Sequence, residues 1–393
     1  PRGVLQPATG VALRGLERSD KEVYTTIEGM MNMDSRIAFI EGESREDLVV
    51  SLTKKVCIAG PIHRPWIEDE LRAAGCEVLL GQPVDEFPKY RYQEAELIDL
   101  VTDSDILLVT SRDRVSGAIM EACGNLRGVI KGSIGVETID IKAATDLGIL
   151  VCNSPAPENF TGLAEAVVGL MVILIKRLKL NEQVLQEGGW RKENNVGELI
   201  LGKTIGIIGL GRVGKEVAKR LEAWGVRLIA YDPYVDQRQF KQLGVERVSL
   251  EEMLRESDVV SIHVVLTSET IHMIGLKEMR MMKPSAYLIN TSRGEVIPQG
   301  ELAFALREGL IAGAALDVFE EEPLPKESSL RSIDPTRLIM TPHIIGNNLL
   351  SRMSGQRMAM ESILSLLRGE IPSTVLNREA IPRWRERFVQ PLP

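Results

Sequence analysis

From Lys55 onward the chain alternates between two patterns. Short runs made almost wholly of apolar residues are followed by longer stretches in which apolar residues recur every three or four positions among polar ones. The first pattern predicts strands buried on both faces, the second amphipathic helices. Strands are expected at 55–60, 77–82, 105–111, 128–133 and 149–155, separated by helices at 65–75, 92–102, 117–125 and 140–148. Such alternation implies a parallel sheet covered by helices on both faces. A second series opens with a strand at Thr204 and continues with strands at 226–231, 245–248, 258–264, 286–291, 311–317 and 337–340. Helices at 212–223, 250–256, 299–308 and 347–368 separate or follow these strands. The last of them ends, over 358–367, in an apolar face that can return to the first sheet. The second α/β unit is therefore expected to be inserted in the first, giving domains at 34–154 with 345–393 and at 155–344. The polar, proline-containing 320–335 reads as an exposed loop. Residues 34–54 carry a modest helical pattern, whereas 1–33 are read as an N-terminal extension outside the fold, with Met30, Met31 and Met33 as candidate starts. The most hydrophobic segment, 163–175, is too short for a bilayer and carries Glu165, so it reads as a helix buried in protein.

The opening of the second series carries more than periodicity. Thr204 to Asp232 reads TIGIIGLGRVGKEVAKRLEAWGVRLIAYD: an apolar strand, Gly209, Gly211 and Gly214 in G-x-G-x-x-G spacing, an amphipathic helix, and a second strand ending on an acid. Gly209 allows the tight turn, Gly211 lets a pyrophosphate approach the backbone, and Gly214 lets the helix pack closely on the sheet. The helix N-terminus then points its N–H groups at the phosphates, and Asp232 accepts both ribose hydroxyls of an adenosine. The glycines alone are a weak signal; strand, glycines, helix, strand and terminal acid in that order are a strong one. The fold class expected is thus α/β, with two parallel-sheet domains of Rossmann-like or flavodoxin-like type and NAD as the cofactor of the inserted one.

Composition narrows the partners. A net charge of −8 argues against nucleic acid or an anionic membrane as a general partner. Cys57, Cys76, Cys123 and Cys152 are scattered, with neither a C-x-x-C pair nor a metal-ligand spacing, so buried thiols, a reducing cytoplasm and no metal site are expected. A homodimer, with the apolar 163–175 helix between subunits, is the expected assembly.

Hydride transfer between a nicotinamide and a carbon bearing a hydroxyl requires a base for the hydroxyl proton, a group that sets that base's pKa and, for an acidic substrate, a cation for the carboxylate. Arg293 follows the strand YLINTS, where its planar guanidinium can grip a carboxylate bidentately. His343 follows the strand RLIM and a Thr-Pro turn, and its ordinary pKa of about 6.5 suits a proton passed in either direction. Glu322, before Pro323, would stabilise the imidazolium and fix its tautomer. Alone, Arg293 reads equally well as a surface cation and Glu322 as part of a solvated acidic run; the ordered trio outweighs that. His263 lies inside a predicted strand and reads as structural.

These residues sit in phrases that carry a resemblance. IGVETID, AATDLGILVCNSP, ELILGKTIGIIGLGRVG, SDVVSIHVVLTSET, LINTSRGEVI, AGAALDVFEEEP and MTPHIIG occur in order, and from about Lys55 to Asn377 the chain resembles the D-isomer-specific 2-hydroxyacid dehydrogenases. The resemblance implies that Arg293, Glu322 and His343 are the family's arginine, glutamate and histidine. It also places Asp317 near the nicotinamide amide, and the backbone N–H groups of Ser133, Ile134 and Gly135 at the substrate carboxylate. With Arg212, Val213 and Thr291, the expected cofactor contacts are Gly209, Gly211, Gly214, Asp232 and Asp317. The chain departs from the family pattern at Ser133, Glu137, Thr138 and Val265, where glycine, Asp-Asn and proline are usual, so an altered pocket is expected. Arg112 and Arg114, after the 105–111 strand, are candidate contacts for a second anionic group on the substrate, against a reading as solvated loop cations. The expected function is NAD-dependent interconversion of a D-2-hydroxy acid and its 2-oxoacid. The alternative is an NAD-sensing binding protein of the corepressor type, which shares this fold and trio.

Overall fold

The computed structural model describes residues 54–60, 66–83, 92–191 and 193–389, all within the compact unit Thr53–Pro393. The expectations for 1–33 and 34–53 lie outside the described residues. In chain order the first elements are β1 (Lys55–Ile58), α1 (Trp66–Ala73), β2 (Glu77–Leu80), α2 (Glu94–Val101), β3 (Ile106–Val109), α3 (Gly117–Ala122), β4 (Gly128–Lys131), α4 (Ile141–Leu147) and β5 (Leu150–Cys152). Their strands form one parallel sheet in the order β2-β1-β3-β4-β5, the flavodoxin-like order. β3 and β4 are buried along their whole length, which is why ILLV and GVIK show no polar alternation. Local signals set the helix ends. Ser116 caps α3 by accepting from Ile119 N, Asp140 caps α4 by accepting from Ala143 N, and Gly148 closes α4 at φ +64°. A side-chain cap of this kind stabilises by about 1 kcal/mol.

Two helices, α5 (Pro157–Ile175) and α6 (Leu178–Gln186), lead to the second unit. It comprises β6 (Thr204–Ile208), α7 (Arg212–Leu221), β7 (Arg227–Tyr231), α8 (Gln237–Gln242), β8 (Glu246–Arg247), α9 (Leu250–Glu256), β9 (Val259–Ile262), α10 (Leu276–Met279), β10 (Tyr287–Asn290), α11 (Gln299–Arg307), β11 (Gly313–Leu316) and β12 (Leu338–Met340). The seven strands are parallel in the order β12-β11-β10-β9-β6-β7-β8. That is the doubly wound dinucleotide-binding order extended by one strand, with its switch point between β6 and β9. The sheet is sandwiched between two apolar layers. One includes Ile208, Val260, Leu288 and Leu302, the other Val217, Ile207, Ile289 and the α5 residues Val167 and Leu174.

The chain then returns. α12 (Leu349–Leu367) and α13 (Ile381–Phe388) lay Ala359, Ile363, Leu366 and Trp384 against Ile106, Ile130 and Leu150 of the first sheet. Trp384 Nε1 donates to Arg127 O at 2.8 Å, and Asn377 bridges Val151 N (2.8 Å) and Ile149 O (2.9 Å). α5, expected as a helix packed in protein, lays Ala164, Val167, Leu170, Met171 and Leu174 on the core, with Val168, Val172 and Ile173 partly buried against it. At 19 residues it is longer than the 163–175 segment expected to be too short for a bilayer. By length and composition α5 could cross a membrane, but the side on which it packs is the core of the second sheet.

Candidate active site

The glycine loop takes the form its spacing implies. Gly209 sits at φ +88°, and a Cβ there would stand 2.6 Å from His263 O, so only glycine lets β6 turn beside β9. At Gly211 a Cβ would meet nothing within 4 Å: the backbone at the start of α7 faces open space, and no side chain caps the helix. Its first N–H groups are thus available to an anion. A Cβ at Gly214 would collide with the Gly209 carbonyl, so close packing of α7 also requires glycine. At the end of β7, Asp232 accepts from Leu210 N (2.8 Å), Tyr234 N (2.9 Å) and Val235 N (3.2 Å), which holds its carboxylate beside the loop. Arg212 is exposed, its guanidinium 5.0 Å from the centre of the Phe160 ring, and Val213 is half-buried. Thr291, just past β10, is buried with no partner for its hydroxyl among the described residues. An open anion seat, a fixed acid and an orphan hydroxyl along the C-terminal edge of the sheet fit a dinucleotide.

Three neighbouring strands bring Arg293, Glu322 and His343 to that same edge. After β10, Asn290 accepts from Ser292 N (3.0 Å) and Oγ (2.8 Å) and donates to Arg293 O (2.8 Å), which fixes the loop. Gly294 lies so close to Phe319 and Glu320 that any Cβ would strike their backbone, and this contact brings the Arg293 loop against the loop after β11. After β12, His343 adopts φ +51°, a left-handed conformation unusual for a non-glycine residue. Asp317 holds that turn, accepting from Thr341 Oγ1 (2.5 Å), Ile344 N (3.0 Å) and Ile345 N (3.3 Å). It is buried, and burial raises its pKa. Asp317, expected at the nicotinamide amide, is thus placed inside the scaffold of the histidine turn.

His343 Nδ1 and Glu322 Oε2 are 2.8 Å apart, and Glu322 Oε1 accepts from Phe319 N at 3.1 Å. The hydrogen bond to Glu322 raises the His343 pKa above 6.5, outweighing burial and the nearby Arg293. Burial pushes Glu322 upward, but the hydrogen bond and charge of His343 outweigh it and hold the carboxyl below its ordinary value. With Nδ1–H directed at a carboxylate, Nε2 is the nitrogen left to exchange a proton with a ligand. His263 differs in kind. Its Nε2 lies 2.9 Å from Ser261 Oγ, and burial lowers its pKa to about 3, so it is neutral and structural.

The first sheet supplies the opposite wall. Ser154 N donates to Ser133 O (3.0 Å) and Asn153 Nδ2 to Ile134 O (2.8 Å), so the 133–135 loop is pinned through its carbonyls. A Cβ on Gly135 would collide with the Arg293 guanidinium and the Glu137 carboxylate, which places this loop directly against Arg293. Arg293 Nε donates to Glu137 Oε1 at 2.6 Å and Nη1 to Ser292 O at 2.7 Å. Lys131, at the end of β4, is 1% exposed, and its Nζ donates to Thr110 O (2.6 Å) and Thr138 Oγ1 (2.8 Å). Burial lowers its pKa to about 8, against the pull of Asp113 and Glu137. Neither Lys131 nor the Glu137–Arg293 pair was expected as part of the site; the only sequence signal was a lysine closing an apolar strand and a glutamate at a departure from the family pattern.

Arg112 does not present a free guanidinium, which tells against its part in the second-anion expectation. Its guanidinium donates to Asp113 Oδ1 (3.0 Å), Pro83 O (2.9 Å), Ala59 O (2.9 Å) and Gln82 O. It therefore ties the segment after β3 to those after β1 and β2, with Nε and both terminal nitrogens engaged. Arg114 is exposed. Among the described residues no group of three or more His, Cys, Asp and Glu could hold a metal ion, and Cys57, Cys123 and Cys152 are buried free thiols.

Comparison with known proteins places the chain in a family. Residues 168–344 match the family profile described as D-isomer specific 2-hydroxyacid dehydrogenase, NAD binding domain. A glyoxylate reductase of Korarchaeum cryptofilum is 38% identical over 289 residues, 72% of this chain and 86% of that protein. The chain belongs to the D-isomer-specific 2-hydroxyacid dehydrogenase family. A D-3-phosphoglycerate dehydrogenase of Methanocaldococcus jannaschii is 34% identical over 338 residues, 86% of this chain; the chain spans 62% of that relative's length. Among solved structures, D-lactate dehydrogenase from Aquifex aeolicus, complexed with NAD and lactic acid, superposes with a TM-score of 0.72 at 26% identity, covering 82% of this chain and 99% of that one. The family member described here is an NAD-dependent oxidoreductase of two parallel-sheet α/β domains.

Proposed function

We propose that the protein interconverts a small D-2-hydroxy acid and its 2-oxoacid, with Arg293 as the carboxylate grip and His343, held by Glu322, as the acid–base group. The observation that carries this is the 2.8 Å bond of His343 Nδ1 to Glu322 on a strand end neighbouring that of Arg293. Bound NAD supplies or accepts the hydride at the substrate's second carbon. In the direction of reduction Arg293 orients the carboxylate and polarises the adjacent carbonyl, and protonated His343 gives its Nε2 proton to the carbonyl oxygen. In oxidation neutral His343 takes the hydroxyl proton, and Glu322 stabilises the imidazolium that forms. The backbone N–H groups of Ser133, Ile134 and Gly135 face the same carboxylate in this reading. The division into a substrate domain, 34–154 with 345–393, and a nucleotide domain, 155–344, is supported by the packing of Ile363, Leu366 and Trp384 on the first sheet. Steady-state reduction of a panel of 2-oxoacids by NADH tests the reading. Absence of turnover with every member, in protein that binds NADH, would instead favour the corepressor-type alternative.

The cofactor should be NAD(H) in preference to NADP(H). Asp232 is held by three N–H groups at the position a 2′-phosphate would approach, and juxtaposed like charges disfavour binding strongly. At least about tenfold higher kcat/KM with NADH than with NADPH is expected, given what one such repulsion costs. Equal efficiencies would refute it.

After α5, Leu185, Trp190 (71% exposed), Val196 (70%) and Leu199 are exposed apolar side chains of the kind that mark an interface. A homodimer closed over this surface is the proposed assembly. Sedimentation equilibrium at micromolar protein should report twice the chain mass; a monomer there would exclude it.

A further inference from the structure

The ion pair between Glu137 and Arg293 has no part in the reaction as proposed, yet it lies on the seat that reaction needs. A guanidinium grips a carboxylate through two parallel N–H groups on one edge. Here Nη1 is bonded to Ser292 O (2.7 Å) and Nε to Glu137 Oε1 (2.6 Å). The same point above Gly135 would collide with both Arg293 Nη2 and Glu137 Oε2, so the second oxygen of Glu137 borders the remaining corner of the fork. A carboxylate held by the Arg293 guanidinium beside Gly135 occupies the place the substrate carboxylate would take in this reading. Burial pushes Glu137 upward, but Arg293, its own backbone N–H and Lys131 outweigh it and hold the carboxyl below its ordinary value, so it is ionised at neutral pH. The pair is not sealed in: the two side chains are 28% and 45% exposed for Arg293 and Glu137. A second cation stands by, since Lys131 Nζ is bonded to Thr138, the next residue along from Glu137.

We propose that Glu137 is an internal competitor for the carboxylate seat on Arg293, and through this a specificity-determining residue. A substrate carboxylate binds only by displacing Glu137, which then turns toward Lys131. Once displaced, Glu137 keeps its charge at the pocket wall and spends that of Lys131. Substrates with one carboxylate and an uncharged remainder are therefore favoured over those bearing a second anion. This rests on the reading of Arg293 as the carboxylate grip. A Glu137 that merely orients Arg293 for substrate predicts the opposite sign, because its loss would then weaken binding.

The test is binding of oxamate, a monoanionic isostere of a 2-oxoacid, to the enzyme–NADH complex at pH 7, read by quenching of NADH fluorescence. Glu137→Gln and Glu137→Ala should both bind oxamate more tightly than the wild type, by about 5- to 50-fold, as expected for removing a close like charge. KM for glyoxylate should fall with it, and KM for the dianionic oxaloacetate should fall further, so that the preference for the monoanion narrows. Thermal unfolding midpoints of both variants check that the fold is kept. Unchanged or weaker oxamate binding in folded variants, while the wild type still reduces 2-oxoacids, overturns the competitor and leaves the dehydrogenase reading intact. Failure of wild type and variants alike to bind oxamate or turn over any 2-oxoacid removes both.

Discussion

His343→Ala is expected to lower turnover with any accepted 2-oxoacid by about 10²–10⁴-fold, the contribution of a positioned general acid–base group. NADH affinity should change little, because the glycine loop and Asp232 lie on β6 and β7 whereas His343 follows β12. Glu322→Gln refines the assignment through pH. Glu322 raises the His343 pKa, so the protonated form that reduction needs persists above pH 6.5 and is lost as pH rises through the raised value. Without that carboxylate, burial, the larger remaining influence, and Arg293 lower the pKa, and only the charge of Asp317 opposes them. The falling limb of the reduction profile should move to lower pH, and the rising limb for oxidation should move with it. A pH profile identical to the wild type would show that Glu322 does not govern His343.

Arg293→Ala should lower kcat/KM by about 30- to 4000-fold, the consequence of losing 2–5 kcal/mol from one partner of a hydrogen-bonded charge pair. Arg293→Lys should fall between, since an ammonium keeps the charge but not the fork. Part of the loss in Arg293→Ala comes from Glu137, which becomes an unpaired carboxylate at the emptied seat. The double variant Arg293→Ala/Glu137→Gln should therefore recover some efficiency over Arg293→Ala alone. Strict additivity of the two single effects would show that the pair is not coupled.

Every strand of both sheets falls in a stretch legible in the sequence, the inner ones because a parallel strand buried on both faces needs an unbroken apolar run, whereas the edge strand β8 is exposed. The helices that escaped prediction, α6, α8, α10 and α13, bury at most one side chain each. α8 buries only Phe240, and α13 only Trp384 among arginines. The glycine loop was legible because two of its glycines answer to local geometry, a positive φ at Gly209 and contacts within the same strand–turn–helix for Gly214. Arg293, Glu322 and His343 were legible as a set because each follows a predicted strand or its loop, and parallel strands deliver such residues to one edge.

Three site features depended on residues remote in sequence. Arg112 reads as a free cation at a strand end, yet carbonyls at 59, 82 and 83 consume its guanidinium. Beside the cofactor contact expected of it, Asp317 accepts from three donors around His343, a scaffold role that the sequence does not show. Glu137 and Arg293 are 156 residues apart, on loops of different sheets. The sequence by itself determined strands, turns and the candidate chemistry, because periodicity, glycine geometry and residue type act within a few neighbours. Only the tertiary structure decided which charges are spent on the protein and which remain for a ligand, because a hydrogen bond or ion pair is set by distance in space, which sequence separation does not record.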